Sequence, residues 1–275
     1  MPRFVLITGC SSGIGLAAAR ALAAAGLTAI ASARRLEDVT RLQREGLLAV
    51  QLDLNDEASI EAGAREALQL AGGRLYGLFN NGAYGQPGAI EDLPTSALRA
   101  QFETNLFGWH HLIRQVLPSM LAAGEGRIVQ NSSVLGLVAM KYRGAYNASK
   151  FALEGYTDTL RLELRGSGVA VSLIEPGPID TRFRANARAA FLHHLSSAQS
   201  RHEANYRLTL ARLEKEGPSG RFTLPSEACV PPLLHALTSR RPRHRYGVTL
   251  PTKVFAILRR LLPSRWLDAL LAKSA

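Results

Sequence analysis

Residues 8–15 read TGCSSGIG, directly after the β-rich run RFVLI at 3–7 and ahead of an alanine- and leucine-rich stretch ending at Gly26. Gly9, Gly13 and Gly15 therefore stand between a short strand and a helix-spaced segment. Each glycine has a physical use there. Gly9 permits a tight turn without Cβ interference. Gly13 lets the phosphates of a dinucleotide approach the backbone, and Gly15 lets the helix pack close to the sheet with its N-terminus toward the pyrophosphate. The spacing is G-x-x-x-G-x-G, unlike the more familiar G-x-G-x-x-G.

Working outward, further strand-like runs are LTAIASA (27–33), LLAVQLDL (47–54), LYGLFNN (75–81), GRIVQNSS (126–133) and VAVSLIEPGP (169–178). Helical patterns alternate with them at 36–46, 55–73, 95–122 and 143–166, with Asn55 as the expected cap of the second. The strands are continuous apolar runs without a two-faced alternation. That pattern predicts a parallel sheet buried on both faces and joined by right-handed crossovers. The expected fold class is α/β: a doubly wound Rossmann sheet with helices on both faces, one domain over 1–275, carrying a helical C-terminal extension. Ligands of such sheets sit at the carboxyl ends of the strands, and all the motifs below fall at such ends.

The composition, 47% hydrophobic and 20% charged over 275 residues, is that of an ordinary globular chain. Two cysteines, Cys10 and Cys229, form no disulfide framework, which suits a reducing, cytoplasmic location. The N-terminal apolar run is too short for a signal peptide and leads into the glycine loop. The net charge of +11 is uneven: residues 1–180 hold 16 Lys and Arg against 17 Asp and Glu, residues 181–275 hold 17 against 5. A uniformly basic nucleic-acid binder is thereby excluded. A solvated basic surface, or a partner bearing negative charge such as a membrane face or a phosphorylated substrate, remains.

The second strand-like run ends in ASARRLED, 31–38. An acid there would hold the free ribose hydroxyls of NAD. Arg34 and Arg35 occupy the place instead, and a guanidinium pairs with a 2′-phosphate. Glu37 and Asp38 read as first-turn helix acids. NADP(H) is the expected cofactor, with Arg34 the main phosphate contact and Arg35 the second.

TGCSSGIG, the Asn80–Asn81 pair, NSS at 131–133, YNASK at 146–150 and EPGPIDT at 175–181 together resemble the short-chain dehydrogenase/reductases, in order and spacing from residue 4 to about 181. The chain is most similar to the NADP-dependent 17β-hydroxysteroid and retinol dehydrogenase branch, and closer still to bacterial aldehyde reductases sharing the flavour of its RFTL and VTLPT segments. The resemblance implies that Tyr146 donates the proton in carbonyl reduction and accepts it in alcohol oxidation. It implies that Lys150 binds the nicotinamide ribose and lowers the phenol's pKa, which agrees with the effect of a nearby cation on one helix face. Ser133, thirteen residues before Tyr146, is implied to orient the substrate oxygen; strand alternation turns Ser132 the other way. Asn105 is implied to hold a water linking Lys150 to solvent. Cofactor contacts carry over to Ser11, Ser12 and Ile14 in the loop, Asp53 at the adenine, Asn80, and Ile179 and Thr181 beyond the Pro-Gly.

Residues 80–83 read NNGA where that family has N-N-A-G, with Gly85 expected to restore the turn. His110–His111 and His193–His194 lack metal spacing, and no metal is required because the cofactor carries the hydride. Residues 183–225 occupy the place of the family's substrate lid, with Phe183, Phe191 and Leu192 as candidate lining of a lipophilic pocket. The basic, amphipathic segment 250–275 is too short in its uncharged stretches to span a bilayer. Packing on the body or a subunit is the expectation for it, and a membrane surface the alternative. The expected substrate is a small lipophilic carbonyl or alcohol, and the resemblance implies a homo-oligomer, dimer or tetramer. A binding protein that uses NADP(H) as a signal without turnover is the rival class; such relatives usually lack the tyrosine or lysine that this chain retains.

Overall fold

The computed structural model describes residues 2–195, 200–215, 217–218 and 220–272. Seven parallel strands form one sheet in the order β3-β2-β1-β4-β5-β6-β7. They are β1 (Arg3–Ile7), β2 (Leu27–Ala33), β3 (Leu48–Gln51), β4 (Gly77–Asn80), β5 (Gly126–Asn131), β6 (Val169–Glu175) and β7 (Arg245–Gly247). The order reverses between β1 and β4, where Ile7 pairs with both Ala31 and Phe79. A crevice opens at such a switch point because the neighbouring connections depart to opposite faces.

Helices cover both faces. Strand alternation sends Leu6, Leu78 and Ile128 to one core layer, shared with α3 (Glu57–Leu70), α5 (Gly108–Ala123) and α6 (Gly144–Glu163). Val5, Ile7, Phe79 and Val129 go to the other, shared with α1 (Gly13–Ala21), α2 (Leu36–Arg44) and α9 (Val230–Thr238). Beside the sheet stand α7 (Phe183–His194) and α8 (Glu203–Glu214), and α10 (Leu250–Leu261) and α11 (Ser264–Leu271) close the described chain. The lid segment and the C-terminal segment are thus helical as expected, apart from residues 196–199, 216, 219 and 273–275, which lie outside the described residues.

Two expectations shift, and one strand is added. The single helix over 95–122 is α4 (Thr95–Phe102) and α5 joined by a π-helical turn, Glu103–Phe107, because buried Asn105 hydrogen-bonds the Tyr84 backbone. The cap of α3 is Asp56 and not Asn55: the Asp56 carboxylate accepts from the Ala58 N–H at 3.0 Å, and the Asn55 amide turns to Asp53. The strand β7, only three residues long, carries no apolar run to announce it; buried Tyr246 and the ion pairs of Arg245 hold it in place.

Candidate active site

The loop after β1 is built from contacts only glycine allows. Gly9 has φ +72°, and a Cβ on it would lie 2.7 Å from Gly82 Cα. A Cβ on Gly15 would lie 2.4 Å from the Gly9 carbonyl oxygen. The first turn of α1 thus presses directly onto the loop, its amide ends directed at the crevice and no acid in that turn. Ser12 caps α1 in extended conformation without spending its hydroxyl on the helix. Thr181 arrives from the connection after β6 and lies over Gly13, where a Cβ would meet its Cγ2 at 3.0 Å. Ile179 is fixed nearby by a bridge to Leu224. Cys10 is fully buried, its Sγ donates to the Ile7 carbonyl at 3.2 Å, and burial pushes the thiol up to about 12.

A crevice of about 590 Å3 runs along this loop, lined among others by Gly9, Ser11, Arg34, Asp53, Asn55 and Tyr84. Arg34 is exposed there and its guanidinium has no ion pair among the described residues. Arg35, at the cap of α2, pairs instead with Glu37 at 3.1 Å. Asp53 accepts from the Asn55 backbone at 3.0 Å, so its carboxylate is steered at the crevice wall. No sequence signal singles out Arg41, which reaches from α2 to donate to the Ser11 carbonyl at 2.8 Å while paired with Asp38.

At the far side, α6 presents Tyr146 and Lys150 at a spacing of four and both are buried. Ser133 stands close enough to the Tyr146 hydroxyl to oppose the rise of its phenol, and caps the turn Val134–Gly136 by accepting from the Leu135 N–H at 3.1 Å. Ser132 turns the other way, to Glu154, as strand alternation demands. Lys150 Nζ donates to the Asn131 carbonyl at 2.7 Å and stands 4.5 Å from the centre of the Trp109 ring. No hydrogen bond joins it to Tyr146.

The electrostatics correct one expectation. The Tyr146 phenol is pushed up to about 12, not lowered: burial is the largest cause, opposed by the Ser133 hydrogen bond and the Arg143 cation. Burial likewise pulls Lys150 down to about 7, opposed by Glu154. In each group desolvation outweighs the opposing neighbours.

Asn80 also departs from expectation. It is fully buried on the core side of β4 and its amide donates to Gln130 at 2.9 Å. Its neighbour Asn81 serves the site instead, donating to the Thr8 carbonyl at 2.9 Å and accepting from Asn131 at 2.9 Å. One carboxamide thus ties the glycine loop to the strand end that holds Lys150. Asn105 spends its side chain on both backbone groups of Tyr84 and on Ser149 at 3.2 Å. In the NNGA stretch, Gly82 lies against the loop backbone, and Gly85 leaves room for Phe183, whose ring atom a Cβ would meet at 2.7 Å. Phe183 packs edge-on to Tyr146 with ring centres 5.3 Å apart. The other lid candidates do not line the site: Phe191 is buried against Tyr206, and Leu192 is exposed. From α7 it is Asn186, Ala189, His193 and His194 that face the crevice.

A reversed parallel sheet, a glycine loop at its switch point and a tyrosine–lysine–serine group at the strand ends define a dinucleotide-binding α/β protein. The short chain dehydrogenase family model matches residues 3–191, and the chain belongs to that family of oxidoreductases. It is 44% identical over 271 residues to the uncharacterized oxidoreductase YbbO of Escherichia coli (strain K12), covering 98% of this chain and 94% of that protein. It is 31% identical over 280 residues to the NADPH-dependent 3-dehydrocapnine reductase of Ornithobacterium rhinotracheale, covering 98% and 96%. Among solved structures, a short chain dehydrogenase/reductase from Burkholderia phymatum in complex with NAD superposes with a TM-score of 0.78 at 27% identity, covering 94% and 92%.

Proposed function

We propose that the protein reduces apolar aldehydes or ketones to alcohols, reversibly, with NADP(H). The carrying observation is buried Tyr146 and Lys150 on one face of α6 with Ser133 beside them at the strand ends, next to a loop that has room for phosphates only because it is glycine. The residues present fit the cofactor. Gly9, Ser11, Ser12, Gly13, Ile14 and Gly15 would surround the pyrophosphate, Asp53 the adenine, and Lys150, Ile179 and Thr181 the nicotinamide half. Unpaired Arg34, with Arg35 second, suits a 2′-phosphate, and the relative named for NADPH supports that preference.

The bound cofactor supplies the hydride. Ser133 orients the carbonyl oxygen, and Tyr146 gives that oxygen its proton. Lys150, anchored by the Asn131 carbonyl and 5.8 Å from the centre of the Tyr146 ring, would hold the nicotinamide ribose. Asn105 fixes the Tyr84 backbone along the same wall. Phe183, packed on Tyr146, makes α7 and α8 the substrate lid, and its ring favours an apolar substrate. Exposed Leu121 on α5 and Leu162 on α6 support pairing of subunits through those helices.

The test is NADPH consumption with a panel of aldehydes, ketosteroids and retinal, with NADH alongside. Tyr146→Phe lowers turnover about 10²–10⁴-fold and leaves NADPH binding intact. Activity that survives the change removes the mechanism; NADPH binding without turnover on any carbonyl favours a regulatory protein.

A further inference from the structure

The last two helices leave an apolar strip in solvent. Leu250, Val254, Ile257 and Leu261 follow one another at spacings of four, three and four along α10, which puts them on one face. They are 59%, 42%, 58% and 73% exposed. The opposite face holds α10 to the body through buried Thr252 and through Arg259, which stacks over Phe151 and reaches the Gly136 carbonyl. α11 continues the strip with exposed Trp266 and Leu270 and buries none of its residues. The packing expected of this segment is thus met on one face only. Scattered exposed apolar side chains are ordinary; six on two consecutive helices form a patch.

The charges around the patch indicate what covers it. Lys253, Arg260 and Arg265 are exposed beside it, and Asp268 is the single acid between residues 250 and 272. Lys253 also lines a cavity of about 500 Å3 whose walls include Arg243, Arg245 and His235. A second copy meeting this face symmetrically would set these cations against their own kind. A surface that is apolar beneath and anionic above complements both features.

We propose that α10 and α11 dock on an anionic phospholipid surface. The strip from Leu250 to Leu270 lies in the boundary between headgroups and acyl chains, and Lys253, Arg260 and Arg265 lie at the phosphates. Trp266 enters the interface with its strip. On its opposite face, α10 is tied by Arg259 to the turn that follows Ser133, so the docking helix is anchored beside the site.

The test uses the full chain with vesicles of phosphatidylcholine alone, or with phosphatidylglycerol added, at low and high salt. The chain has two tryptophans, and Trp109 is fully buried, so emission changes report Trp266. Expected are co-sedimentation and a blue shift with phosphatidylglycerol vesicles, weakened by salt. Ile257→Glu with Leu261→Glu, and separately Lys253→Glu with Arg260→Glu, should each weaken partitioning about tenfold or more. These positions are exposed, and an unchanged thermal unfolding transition separates lost docking from lost folding. Absence of vesicle binding, equal binding to both vesicle types, or binding indifferent to the Ile257 and Leu261 changes overturns the proposal. So does concentration-dependent self-association that Leu261→Glu abolishes, which would assign the strip to a second copy.

Discussion

The α-carbon of Gly15 faces the carbonyl oxygen of Gly9 so closely that a Cβ on Gly15 would lie 2.4 Å from that oxygen. The second atom in the way, the Asn81 amide nitrogen at 2.7 Å, belongs to the side chain that ties the loop to Asn131. Helix, loop and strand end are therefore one packed unit, and an added methyl group has no flexible neighbour to displace. Gly15→Ala should destabilise the fold by about 3 kcal/mol and weaken dinucleotide binding. Chemical denaturation and cofactor titration check both.

Among the described residues Arg34 stands at the crevice without an ion pair, whereas Arg35 is engaged with Glu37. Arg34→Ala should raise the KM for NADPH about 10–100-fold, the value of one charge-assisted phosphate contact, and leave the KM for NADH nearly unchanged. Arg35→Ala should have a smaller effect. Equal losses with the two cofactors would remove the 2′-phosphate assignment.

Burial pulls Lys150 from its ordinary value of 10.5 to about 7. Between those values the unfolded chain binds a proton that the folded chain does not, so this group makes stability rise with pH across that window. Lys150→Met lacks this titrating amine, and Tyr146 is common to both proteins. The stability of the wild type relative to Lys150→Met should therefore increase from about pH 7 to pH 10, read by denaturant melts. A flat difference would mean that the amine is solvated.

Glu175 gives the opposite sign. Burial, and then the neighbouring Glu154, push its carboxyl from 4.5 up to about 7, against the pull of Arg245 and Arg260. The Arg245 Nε lies 3.2 Å from it, but the same guanidinium also reaches Glu154 and Asp158 through its Nη2, so the cation is shared among three acids. Here the folded state holds the extra proton, and the stability it confers is lost as pH rises through about 7. Glu175→Gln should flatten that decline, measured as midpoint against pH between 4.5 and 7.

The sheet was legible because its signals are local. Six of its strands are continuous apolar runs of the sequence, and the glycine loop announces its own turn. Arg34 was legible for the same reason, since a strand end fixes where the next residue stands. The unread features depend on distance in the chain. Arg41 meets Ser11 across 30 residues, and Asn131 meets Asn81 across 50. Nothing near Asn80 or Asn81 says which of two adjacent amides turns inward, because that depends on the Gln130 side chain across the sheet. The helix over 95–122 hid its π turn because periodicity registers apolar spacing and not the backbone demands of Tyr84. Phe191 sits in a lid whose composition suggests a pocket lining, yet it packs on Tyr206 from a helix whose position the sequence does not encode locally. The direction of the phenol's shift is hidden from the sequence because helix spacing shows the neighbouring cation but not the burial that outweighs it.

Cys10 sits inside the nucleotide-binding loop, yet its sulfur faces the Ile7 carbonyl and stays protonated across the physiological range. Sulfhydryl alkylators and peroxide attack the thiolate, so they should pass this loop by. A thiol in the most sensitive turn of the molecule is thereby chemically silent, and oxidative stress has no handle on the cofactor seat through it.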